Sequence, residues 1–164
     1  VPASVIQINV SSGGVPKRPL PFGEVGINGI AGDRHAHPQI HGGPRKAVLL
    51  ITSEGIDELK AEGFPLYAGA LGENITTTGL DRRTVRLGQR YRLGEVIVEI
   101  TKMRQPCEQL APYGEGIQNA IYDAEVKAGN AASPRWGLAG FYASVVQPGT
   151  LRPGDTITLL EEAV

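Results

Sequence analysis

Cys107 is the only cysteine of the chain, and it closes the run Lys102, Met103, Arg104, Gln105, Pro106. Two cations near a thiol favour its thiolate, which is both a nucleophile and a ligand for soft metals. If the preceding strand stays extended to residue 104, Lys102 and Arg104 point to one face. Pro106 removes a ladder donor there and turns the chain out of the sheet. A buried, inert thiol is the competing reading. One cysteine excludes an internal disulfide framework and a thiolate-rich zinc site.

All three histidines lie together in Asp33-Arg34-His35-Ala36-His37-Pro38-Gln39-Ile40-His41-Gly42-Gly43. His35, His37 and His41 could bind zinc with an open position, which would make the chain a zinc-dependent hydrolase. Solvated loop histidines are the alternative. In His41-Gly42-Gly43, with basic Lys46 close behind, paired glycines free backbone amides to form an anion-binding nest; a plain flexible turn would look the same. Arg82, Arg83, Arg86, Arg90 and Arg92 cluster within eleven residues, either as a solvated face or as a phosphate-holding edge. No aromatic stacking platform accompanies them, so single-stranded nucleic acid is a poor fit. In Gly69-Ala70-Leu71-Gly72-Glu73-Asn74-Ile75, Asn74 could hydrogen-bond a heterocycle or its own turn.

The elements that must position these groups are mostly strands. Alternating or continuous apolar runs predict strands over residues 4–10, 47–51, 74–78, 85–93, 95–101, 141–146 and 155–160. Within residues 95–101, Val96, Val98 and Ile100 should share one face. Thr52 or Ser53 should cap a helix running to Glu62 and stopped by Gly63, and a second helix is expected over residues 117–128. Residues 11–23 and 29–45 read as loop. A turn of the form apolar–Arg–x–Gly–polar occurs at both 85–89 and 151–155, as in small barrels.

Gly 22 and Pro 12 make about a fifth of the 164 residues, against a usual level of roughly 12%. That excess argues against helix bundles and for short strands and turns. With 41% apolar residues the chain is not disordered, and its net charge of −1 offers no field for nucleic acid or anionic membrane. No apolar run approaches the ~18 residues needed to span a bilayer. Nothing reads as a leader, so the expectation is one β-rich domain over residues 1–164, soluble and cytoplasmic.

In order, Gly32-Asp33-Arg34-His35, His41-Gly42-Gly43 with Lys46-Ala47-Val48, Gly72-Glu73-Asn74-Ile75 and Arg104-Gln105-Pro106-Cys107 resemble the motifs of MOSC domains. The match runs from about residue 24 onward and is closest to the short, stand-alone bacterial YiiM-like type. His37 lies outside the matched pattern. The resemblance implies a mainly β, barrel-like fold with a few short helices. It also implies molybdenum-cofactor chemistry, with Cys107 as molybdenum ligand or persulfide sulfur carrier and Asn74 placed at the pyranopterin. Arg104, Lys46, His35, His41 and Gly42 would line the cofactor, the basic groups among them meeting its phosphate. Longer members place an arginine where this chain has Gly72, and they carry an extra amino-terminal domain, so transient cofactor binding is expected. The implied activity is oxidoreductase, removing oxygen from N-hydroxylated bases or amidoxime-like compounds, or sulfur transfer. Electrons would come from a flavin or iron–sulfur protein, and sulfur from a separate pyridoxal-phosphate cysteine desulfurase, since no lysine here marks a pyridoxal-phosphate site. A non-catalytic partner-binding module is the remaining class.

Overall fold

In the computed structural model, residues 2–34, 43–106 and 108–161 are described. The strands are β1 (Ser4–Val10), β2 (Arg18–Leu20), β3 (Gly23–Gly26), β4 (Gly29–Ile30), β5 (Val48–Thr52), β6 (Ile75–Thr78), β7 (Arg90–Leu93), β8 (Val96–Met103), β9 (Phe141–Gln147), β10 (Gly149–Leu151) and β11 (Ile157–Glu161). Eight form one sheet in the order β11-β7-β8-β9-β5-β6-β1-β2, and β10-β3-β4 form a second. A bridge pairs Ser4 with Thr156. There the Val5 amide donates to the Asp155 carbonyl at 2.9 Å and the Ile157 amide to the Ala3 carbonyl at 2.8 Å. The mainly β fold is as expected. The sheet curls until β1 meets the approach to β11, but the seam is a short bridge and not a ladder closing a barrel.

β5 is central because every one of its residues is apolar or capping, and all five are buried. Val48 and Leu50 enter a core with Ile8, Ile75, Val98 and Phe141. Ile51 faces a second core with Leu59, Leu71, Ile117 and Leu138. The strand continues into α1 (Ser53–Ala61), where the Thr52 hydroxyl accepts the Gly55 amide, which satisfies one otherwise orphaned donor. Gly63, at φ +102°, ends that helix as anticipated. Val96, Val98 and Ile100 of β8 are all buried while Ile97 and Glu99 between them are partly exposed, as the alternation requires.

The expected helix over 117–128 is two pieces, α2 (Ile117–Ile121) and α3 (Ala124–Lys127). Tyr122 is extended, and the Asp123 carboxylate starts the second piece by accepting the Val126 amide; a local cap overrides the apolar spacing. The expected strand over 85–93 begins only at Arg90. Before it, the Gln89 side-chain oxygen accepts the Arg86 amide and the Tyr91 hydroxyl and folds a tight turn. The short strands β2, β3, β4 and β10 lie where loop, or nothing, was expected.

Candidate functional site

The sheet brings the ends of several loops together beside β1 and β6. The Asn9 amide donates to the Asn74 carbonyl at 2.7 Å, the Lys17 amide to the Gly69 carbonyl at 2.8 Å and the Arg34 amide to the Ser11 carbonyl at 2.8 Å. Between these backbone ties sits a buried polar cluster. Lys17 Nζ donates to both carboxylate oxygens of Asp33 at 2.7 Å. Those oxygens also accept the Ser11 amide at 3.0 Å and Asn74 Nδ2 at 2.8 Å. The Lys17 and Asp33 side chains are only 7% and 2% exposed. A buried pair survives when hydrogen bonds fill its remaining lone pairs, and both Asp33 oxygens are filled here.

Asn74 is buried and fully engaged. Its Nδ2 also reaches the Asn9 carbonyl at 3.2 Å, and its Oδ1 accepts the Leu49 amide at 3.0 Å. Asn74 therefore bridges β5, β1 and the Asp33 segment with the three groups a primary amide offers. In this arrangement its first role is to hold Asp33, two residues before His35.

Glu73, next to it, is fully buried. Thr76 Oγ1 donates to its Oε2 at 3.0 Å, while Oε1 makes no hydrogen bond of ordinary geometry among the described residues. Burial pushes the carboxyl above its usual range; the Gly69 and Glu73 amides, Thr76 and the positive charge of Arg104 pull the other way and are outweighed. Arg104 is buried, its amide bonded to the Gly140 carbonyl and its Nη1 to the Ala139 carbonyl at 3.2 Å. A side chain at Gly72, which has φ +88°, would approach Arg104 Nη2 at 4.0 Å, so the guanidinium lies beside Gly72 and Glu73.

The remaining candidates divide. Lys46 sits in a 3-10 turn, Pro44–Lys46, with its Nζ 5.3 Å from the Tyr142 ring centroid. Burial and then the nearby Lys102 charge lower its pKa. Lys102 and Arg104 do not form a shared cationic face: β8 shifts register between Ile100 and Lys102 and stops at Met103, leaving Lys102 exposed and Arg104 buried. Nor do the arginines form one phosphate-holding edge. Arg82 is buried against Glu58 and the Trp136 carbonyl, Arg83 pairs with Asp81, and Arg90 pairs with Glu99. Cys107, His35, His37, His41 and Gly42 lie outside the described residues. Among the described residues no group of three His, Cys, Asp or Glu could hold a metal, and no helix is long and apolar enough to cross a membrane.

Lys17, Asn9 and Glu73 are members of this site that sequence reading did not single out. Asp33 and Glu73 stood inside quoted motifs; Lys17 stood in a stretch read as loop, and nothing local marks it.

A family model described as MOSC domain matches residues 37–158. YflK of Bacillus subtilis is 33% identical over 132 residues, which are 79% of this chain and 54% of that protein. A protein named Reductase from Gibberella moniliformis is 33% identical over 141 residues, 81% of this chain and 23% of its own length. The chain thus spans about half of one curated relative and a quarter of the other. The crystal structure of YiiM from Geobacillus stearothermophilus superposes with a TM-score of 0.70 at 29% identity, covering 98% of this chain and 76% of that one.

Proposed function

Because the chain belongs to the MOSC domain family, which is associated with molybdenum-cofactor proteins, we propose that it binds that cofactor and acts as a reductase, with Cys107 as the thiolate ligand of molybdenum. One observation carries the reading. The segments that lead into residues 35–42 and into Cys107 meet two adjacent residues of the sheet, Asp33 bonded to Asn74 and Arg104 alongside Glu73. Residues distant in sequence are thereby anchored at one place on the sheet, and His35, His41, Gly42 and Cys107 belong with them in this proposal. The name of the fungal relative is consistent with it.

The donor set fits the group. A thiolate suits a soft metal, and Arg104, with Lys46 from its turn, offers positive charge for a phosphate. Buried Glu73 stands beside Arg104 at the same place on the sheet. When bound, the cofactor supplies the two-electron step by which an N-hydroxylated base or amidoxime-like compound loses its oxygen. That reaction takes two electrons, from an external flavin or iron–sulfur protein, and two protons, and it releases the amine or amidine and water. The chain's own part is orientation and proton handling. Asn74 and Lys17 fix the Asp33 segment, Arg104 holds negative charge, and burial favours the protonated form of the Glu73 carboxyl beside it.

Protein made in a host that synthesises the cofactor should carry molybdenum and pterin in near-equal amounts. With an electron donor supplied it should reduce an N-hydroxylated base, and Cys107→Ser should lower turnover at least a hundredfold while leaving the fold intact. Full activity in the serine variant, or stoichiometric zinc that His37→Ala strips, would overturn the proposal, the second in favour of the zinc hydrolase.

A further inference from the structure

A cavity of about 420 Å³ opens where three separate elements meet. Arg86 comes from the turn before β7, Lys102 from the end of β8 and Lys127 from the last turn of α3, and all three line it. Its floor is apolar and aromatic: Met103, Val126 and Trp136 are all buried. Trp136 is held by its Nε1–H, which donates to the Val85 carbonyl at 2.9 Å, and the Arg86 guanidinium lies 5.8 Å from its ring centroid. Among the described residues no carboxylate lines the cavity. The acids beside Lys127 are turned to other partners: Asp123 caps α3 and accepts the Ser133 hydroxyl, and Glu125 accepts from Asn130.

We propose that this cavity is a binding site for a small anion built on a flat aromatic ring, an aromatic phosphate or carboxylate. Three cations from three elements, with no acid among the described lining residues, leave charge for an anion to neutralise. A bare inorganic ion would leave the apolar floor uncovered, whereas a ring can lie over Met103 and beside the Arg86–Trp136 stack. The volume is that of a ligand pocket and suits a molecule the size of a nucleoside monophosphate. The site is distinct from the Asp33–Asn74 cluster and does not depend on the cofactor.

Trp136 is the only tryptophan of the chain, so its fluorescence and its single indole N–H resonance both report on this cavity. Titration with adenosine 5′-monophosphate and with nicotinate should give saturable changes in both, and the tighter of the two assigns the anion as phosphate or carboxylate. Adenosine and inorganic phosphate, each carrying half of the required chemistry, should bind at least tenfold more weakly than the better probe. The exposed pair Lys102→Ala/Lys127→Ala should raise Kd at least tenfold while leaving the unliganded indole resonance in place, and Cys107→Ser should bind as the wild type does. Adenosine or phosphate binding as tightly as both anionic aromatics, no saturable change with any probe, an unaltered Kd in the double variant, or loss of binding in Cys107→Ser would each overturn the assignment.

Discussion

The Lys17–Asp33 and Arg83–Asp81 pairs are both short, at 2.7 and 3.1 Å, but the first pair's side chains are 7% and 2% exposed and the second's 69% and 47%. Lys17 and Asp33 are 16 residues apart and draw in Ser11 and Asn74. Arg83 and Asp81 are two apart and serve one local turn. Water can replace either partner at the surface and neither partner in the interior. A buried pair therefore fixes tertiary geometry, whereas an exposed one accompanies a turn that would form without it. The candidate site rests on the first kind, and the arginine run holds the second in Arg83 while Arg82 and Arg90 pair across longer stretches of chain.

The comparison breaks most visibly at Lys17. Lys17→Ala leaves the Asp33 carboxylate buried without its cation, at a cost of about 4 kcal/mol, and chemical denaturation should show it. Replacing both partners, Lys17→Met with Asp33→Asn, should recover most of that loss; failure to recover would mean that the charge itself is required. Asn74→Ala should come next, at about 3 kcal/mol, because it strands the Leu49 amide and the Asn9 carbonyl. Hydrogen exchange at Leu49 would localise the damage.

Glu73 sharpens the contrast in another way. Its carboxyl is raised in the folded state above the ordinary value of 4.5, so between that value and its folded pKa the native state holds a proton that the unfolded chain has released. Stability should therefore fall as pH rises through that window and level off above it. Glu73→Gln should remove the decline, so the variant gains on the wild type toward neutral pH, as melting temperatures from pH 4 to 8 would show. At the small end, Arg83→Ala should leave the melting temperature within experimental error, and any larger drop would mean that the exposed pair does more than decorate its turn.

Much of the sheet was legible because strand periodicity is a local property. The alternation in residues 95–101 and the continuous apolar run at 47–51 both follow from which faces must be buried, and the helix after Thr52 follows from its cap and from Gly63. The misreadings also have local causes: Asp123 interrupts a helical apolar spacing by capping, and Gln89 ties a turn where alternating basic and apolar residues suggested strand. The strands of two to four residues, β2, β3, β4 and β10, are too short to carry a period, and their pairing depends on what the rest of the sheet leaves available.

By itself the sequence determined the strand-rich class, the central buried strand, the first helix and the ordered motifs shared with MOSC domains, because each depends on residues near one another in the chain. Only the tertiary structure decided that Lys17 would clamp Asp33, that Asn74 would spend its amide on strands and loop, that Glu73 would be buried beside Arg104, and that Arg86, Lys102 and Lys127 would surround one tryptophan. Those relations join residues up to 65 positions apart. What settles them is which side chains are removed from water together, a property of the packed chain that no local pattern encodes.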